Sequence, residues 1–161
     1  MRALVCLLVG LLFGAPALLA QNQVQDVADI QRLLNSLLEA VENSDMPAFI
    51  VFFDKDATMF HSLAQTPGTS PRRLDGRAEI ERSLRAVFDQ VKANSDRTTG
   101  PYIQIQPLHL TIQTFDQFAV VSFHLDSEPT IHRRTLVFRK IGSGWTIVHL
   151  HASQLQTVAL D

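Results

Sequence analysis

The chain has 161 residues, a formal charge of -2 at pH 7, one cysteine, and 46% hydrophobic residues. That length and apolar share suit one globular domain with its own core. Basic residues are neither in excess nor clustered, which excludes a nucleic-acid footprint, and the lone Cys6 excludes a disulfide framework or a thiolate metal site.

The N-terminus reads apart from the rest. Arg2 gives a short positive start, Leu4 to Leu12 is almost wholly apolar, and Ala15-Pro16-Ala17 and Leu18-Leu19-Ala20 offer small residues ahead of polar Gln21. This is the pattern of a secretory signal peptide, cleaved after Ala20 or, as second choice, after Ala17. The apolar run is short for a membrane span, and an uncleaved anchor is the alternative. Residues 1–20 are therefore expected as a leader, 21–155 as the domain and 156–161 as a tail. The mature protein is expected to be secreted or periplasmic, without membrane attachment after cleavage.

Val24, Val27, Ile30, Leu33, Leu34, Leu37, Leu38 and Val41 recur every three or four residues and predict an amphipathic helix over Gln23 to Asn43. Asn43-Ser44-Asp45 ends it and caps a short helix, Met46 to Phe53, with Pro47 in its first turn. Asp54-Lys55-Asp56 breaks that helix, and Thr58 to Ser62 reads as a first strand. Leu63 to Asp75, with its prolines and hydroxyl residues, reads as a loop or flap. Asp75 is placed to cap a third helix with an Ile80, Leu84, Val87, Phe88, Val91 stripe. The period then changes to two. A long strand is expected from Tyr102 to Gln113, bent at Pro107 where the alternation slips. Gln117 to Asp126, Thr130 to Ile141 and Gly144 to Ser153 follow as hairpin-joined strands. Helices segregated ahead of an antiparallel meander indicate an α+β fold.

Strand alternation puts Trp145, Ile147, His149, His151 and Ser153 on one face of the last strand, and Thr146, Val148, Leu150 and Ala152 on the other. The His149/His151 pair has the spacing for a metal completed by His61, His109 or His132. A structural pair, bonded within the sheet or at a dimer interface, is the commoner arrangement, and no metal is expected. His124 lies on an otherwise apolar strand and serves either as a ligand-facing acid or base or as a satisfied core histidine. Arg133 and Arg134 point to opposite faces, so one faces inward and can clamp a carboxylate. His61 ends the first strand beside the flap, and Tyr102 is the only tyrosine.

The element order, together with Trp145-x-x-Val148-His149-x-His151-x-Ser153, resembles the SnoaL-like branch of the nuclear transport factor 2-like superfamily. The closing motif is similar to that of the calcium/calmodulin-dependent protein kinase II association domain, a member of the branch. Asp75-Gly76-Arg77 looks like the branch's glycine-led helix start, and Arg134-Thr135 before the glycine turn matches a pattern of its bacterial members. The resemblance covers residues 24 to 153. It implies a cone-shaped fold, three N-terminal helices packed on a strongly bent antiparallel sheet, with a pocket in the cone. Ungapped comparison with the association domain puts two of its pocket arginines at His124 and Leu136, and a third, present in some forms, at Ala152. The Arg134-Thr135 pattern makes Arg134 the inward arginine.

The superfamily hosts isomerases, dehydratases, epoxide hydrolases, cyclases and assembly domains, so function transfers poorly. The expected function is binding of a small, apolar-bodied molecule that can carry an acid group. His124, Arg134, His61, Tyr102, His149 and His151 are the ligand-binding candidates, and His124 is the best catalytic candidate. A His-based isomerase, cyclase or dehydratase is the first alternative, and a structural dimerisation domain the second. No cofactor is expected, and the partners are a small molecule and a second copy of the chain.

Overall fold

The structure is a computed structural model and describes residues 14–61, 73–127 and 130–156. The first apolar stripe becomes the buried edge of α1 (Gly14–Glu42), through Ile30, Leu34, Leu37 and Ala40. Its two leading members, Val24 and Val27, stay exposed. The helix begins upstream of the expected Gln23 and stops at a left-handed Ser44 (φ 47). The Asp45 amide donates to the Ala40 carbonyl at 2.8 Å and the Ser44 amide to the Val41 carbonyl at 2.9 Å. That is a Schellman motif, here with serine in the place glycine usually takes.

Asp45 then caps α2 (Met46–Ile50), its carboxylate accepting from the Ala48 amide at 2.9 Å. The helix is shorter than the expected Met46 to Phe53. Phe53 already belongs to β1 (Phe53–Phe60), and Asp54-Lys55-Asp56 lie inside that strand instead of breaking a helix. Of the expected flap, residues 63–72 lie outside the described ones. Its end forms β2 (Arg73–Asp75), paired antiparallel with β1.

The cap of α3 (Arg77–Asn94) is Gly76 and not Asp75. Gly76 sits at φ 85, where a side chain would be strained, and its amide donates to Ala57 on β1. Glu79 reaches back to accept from the Asp75 amide at 2.9 Å, much as in a capping box.

Four strands complete the sheet: β3 (Leu108–Phe115), β4 (Phe118–Ser127), β5 (Thr130–Ile141) and β6 (Gly144–Gln156). The order is β2-β1-β6-β5-β4-β3, antiparallel except for the parallel β1–β6 pair. The expected long strand from Tyr102 is cut to its second half. Residues 102–107 run as irregular chain, and the break in register falls between Leu108 and Thr111, at a left-handed His109 (φ 54) just past Pro107. Gly142 opens the last hairpin at φ 61.

A second break corrects the alternation read on the closing strand. Phe138 pairs with Ile147 and Val137 with His149, which leaves Val148 as an extra residue. Before the bulge the odd positions Trp145 and Ile147 face the core; after it the even positions Leu150 and Ala152 do. The core lies between this inner face and the three helices, centred on Phe53, Phe138, Ile147, Leu34 and Ile80. Strict alternation would put Ile147 and His151 on one face. The bulge predicts that Ile147→Ala costs about 2–5 kcal/mol and the exposed His151→Ala under about 1 kcal/mol in urea unfolding. Equal costs would contradict it.

Candidate functional site

A cavity of about 920 Å³ opens between α1, α3, the irregular segment before β3 and the inner sheet face. Leu37, Leu38 and Val41 line it from α1, and Leu84, Val87 and Phe88 from α3. Phe123, Leu125, Leu136, Leu150 and Ala152 form its sheet side. The apolar walls follow from the helix stripes, whose inner edges meet the sheet here. The polar lining is sparse: Glu42, Ser44, His61, Gln104, Gln106, His132 and Arg134.

Arg134 and His132 share the inward face of β5. The Arg134 guanidinium donates one bond, from Nη1 to the Arg133 carbonyl at 3.0 Å. Among the described residues no carboxylate pairs with it. Burial lowers the pKa of Arg134, though an arginine keeps its charge. Burial, and then the Arg134 charge, push the His132 imidazole below its usual 6.5. Burial does the same to His61, whose Nε2 lies 3.2 Å from Ser83 Oγ on α3. Glu42 is the only carboxylate among the described residues of the lining. It is committed to the wall opposite the sheet: Oε1 accepts from the Ile105 amide at 2.7 Å, and its carbonyl accepts from the Tyr102 amide at 2.8 Å.

Of the ligand-binding candidates read from the sequence, His61 and Arg134 reach the cavity. His124 does not. Its neighbours Phe123 and Leu125 face inward, so alternation turns His124 to the exposed outer face, its ring 5.7 Å from that of His109. Tyr102 lies in a separate hollow of about 260 Å³ beside α3, with the Lys92 ammonium 5.9 Å from its ring. His149 and His151 are also on the outer face, as the bulged register requires. His149 Nδ1 bonds Thr58 Oγ1 at 2.8 Å, and the Phe60 ring packs 6.0 Å from each imidazole. Burial first, then His151 and Arg73, lower the pKa of His149. Leu136 and Ala152, two of the positions aligned with arginines, do line the cavity.

Asp54, outside the cavity, is held by Arg139 at 2.8 Å; the Asp56 amide, ahead of that arginine, lowers its pKa. Among the described residues no three His, Cys, Asp or Glu side chains gather as a metal site requires. The sequence reading missed His132 and Glu42 as cavity residues. His132 was legible from parity, two residues from Arg134 on one strand. Glu42 closes the α1 stripe, one residue past Val41, but its target lies 63 residues away.

His61, His132 and His149 all favour the neutral imidazole in the folded chain. The unfolded chain, with histidines near 6.5, therefore binds more protons below about pH 7, and folding stability falls as pH drops through 6.5 toward the lowered values. The melting temperature should be higher at about pH 7.5 than at about pH 5, with the difference reduced in His61→Asn and His132→Asn. A flat profile would contradict the burial of these rings.

Residues 30–157 match the family model of the SnoaL-like domain. None of the curated proteins matches the chain. Among solved structures, a candidate dehydratase of the nuclear transport factor 2-like family from Streptomyces avermitilis superposes with a TM-score of 0.63 at 22% identity, covering 84% of this chain and 99% of its own. A nuclear transport factor 2-like protein with a cystatin-like fold from Novosphingobium aromaticivorans reaches a TM-score of 0.68 at 16% identity, covering 93% and 95%. A nuclear transport factor 2-like protein of unknown function from Pseudomonas putida gives 0.60 at 20% identity, covering 83% and 94%.

Proposed function

The chain belongs to the SnoaL-like domain family, and we propose that it binds a small, apolar-bodied acidic molecule in the cavity above its sheet. The observation that carries this reading is Arg134: a guanidinium facing an apolar cavity, with no described carboxylate beside it. A half-buried charge of this kind is costly unless paired, and a guanidinium matches a carboxylate with two parallel hydrogen bonds. The aliphatic walls suit the body of the ligand. A thermal-shift screen of small carboxylates should stabilise the protein. Arg134→Gln should weaken the best of them ten- to hundredfold, about 1.5–3 kcal/mol for a lost charge-assisted bond. No stabilisation by any carboxylate would sink the reading.

A second reading, acid/base turnover, has a specific support. His61 presents a ring held toward its neutral form at the cavity, and the Streptomyces relative in fold is a candidate dehydratase. In this version Arg134 holds the carboxylate and His61 moves the proton. His61→Gln then abolishes turnover while binding stays within about threefold; loss of both together removes His61 from the chemistry.

The proposal also includes export by the leader at 1–20 and pairing of two copies through the outer sheet face. Phe60, Val120 and Val137, which are partly exposed there among the histidines, support the pairing. A one-chain mass in sedimentation velocity would remove it.

A further inference from the structure

The cavity floor beside Arg134 is uneven. In register, Arg134 has Phe123 on one side and Ala152 on the other. His132, two residues earlier, has Leu125 and Gln154. Adjacent strands lie about 4.8 Å apart and inward residues about 6.6 Å apart along a strand. A bare methyl at Ala152 therefore leaves room next to the guanidinium, while the Phe123 ring fills the equivalent room on the far side. The space is closed off diagonally by His132.

We propose that the space above Ala152, bounded by Arg134 and His132, is a head-group subsite for a single carboxylate, and that Ala152 sets which head groups enter. The inference rests on the reading that the cavity binds an acidic molecule. Arg134 supplies two donors to the carboxylate, and His132 offers a ring N–H to its remaining lone pairs.

The charge count selects a monoanion. Arg134 is the only Lys or Arg among the described residues lining the cavity. His132 and His61, the other groups that can become positive, are held toward their neutral forms by burial. Glu42, the only acid among the described residues of the lining, has one oxygen bonded to the Ile105 amide. Gln154 and Leu125, the cross-strand neighbours of His132, carry no charge. A dianionic head would bring a second negative charge into apolar surroundings with nothing to balance it.

The test is calorimetric titration of the full chain with octanoate, octyl phosphate and octanol at about pH 7.5, where a phosphate monoester is largely a dianion. Octanoate should bind about tenfold tighter than either of the others. Ala152→Leu should weaken octanoate about tenfold and leave octanol, which needs only the apolar walls, within about twofold. His132→Lys, adding a second positive charge, should move the preference about tenfold toward octyl phosphate. If Ala152→Leu does not fold, Ala152→Val replaces it, with about a threefold loss expected.

Octanoate binding unchanged in the Ala152 variant overturns the subsite while the acid-binding reading stands. So does a wild-type preference for octyl phosphate, or a His132→Lys variant with unaltered preference. Octanol binding as tightly as octanoate, or no binding of any probe, overturns the acid-binding reading itself and the subsite with it.

Discussion

Strand β6 has to satisfy two neighbours with different geometry. On one side it pairs parallel with β1, on the other antiparallel with β5. The two ladders space their hydrogen bonds differently, and both change register in the same region: β6 gains Val148 against β5, and β1 shifts between Phe53 and Thr58. Ile147 spans the junction, its amide donating to the Phe52 carbonyl at 2.8 Å while its side chain is fully buried. Below the bulge the inner face is solid core: Trp145, Ile147, Phe138 and Phe53. Above it, Leu150, Ala152 and Arg134 face open space. One inserted residue separates the packed half of the sheet from the half that lines a cavity.

The same register sorts the titratable groups into two sets with no shared side chains. Arg134, His132 and His61 face the cavity. His124, His149 and His151 face outward, where Thr58 and the Phe60 and His109 rings surround them. A strand only one residue thick keeps the two sets apart. Arg134 is a permanent charge among aliphatic side chains, and it adds to the burial that lowers the pKa of its neighbour His132.

Much of the architecture was legible because period and punctuation carry it. The α1 and α3 stripes, the Asp45 cap, the glycine hairpin and the strand meander all come from local chemistry. Parity also put His149 and His151 opposite Ala152. What local chemistry could not carry was decided by pairing. Asp54 to Asp56 look like a helix stop, yet their backbone is taken up by a strand whose partner, β6, is about 90 residues away. Val148 is apolar on both readings, so nothing in its own identity marks it as a bulge. An otherwise apolar strand and an ungapped comparison both point to His124, although Phe123 and Leu125 beside it are the stronger candidates for an inward face on hydrophobicity alone. Arg134 faces inward as parity predicts, because its strand has no break between it and the buried Leu136 and Phe138.

Glu42 illustrates how few bonds set the size of the cavity. The irregular wall before β3 is tied to the last residue of α1, through its carbonyl to the Tyr102 amide and its carboxylate to the Ile105 amide, and at its start to the loop after α3, through Arg97 to the Pro101 carbonyl. The helix therefore acts as a ruler. Each residue added to it advances the end by about 1.5 Å and rotates it by about a quarter-turn, carrying the anchor away from the wall. Length changes in α1 and width changes in the cavity are thus coupled through one side chain.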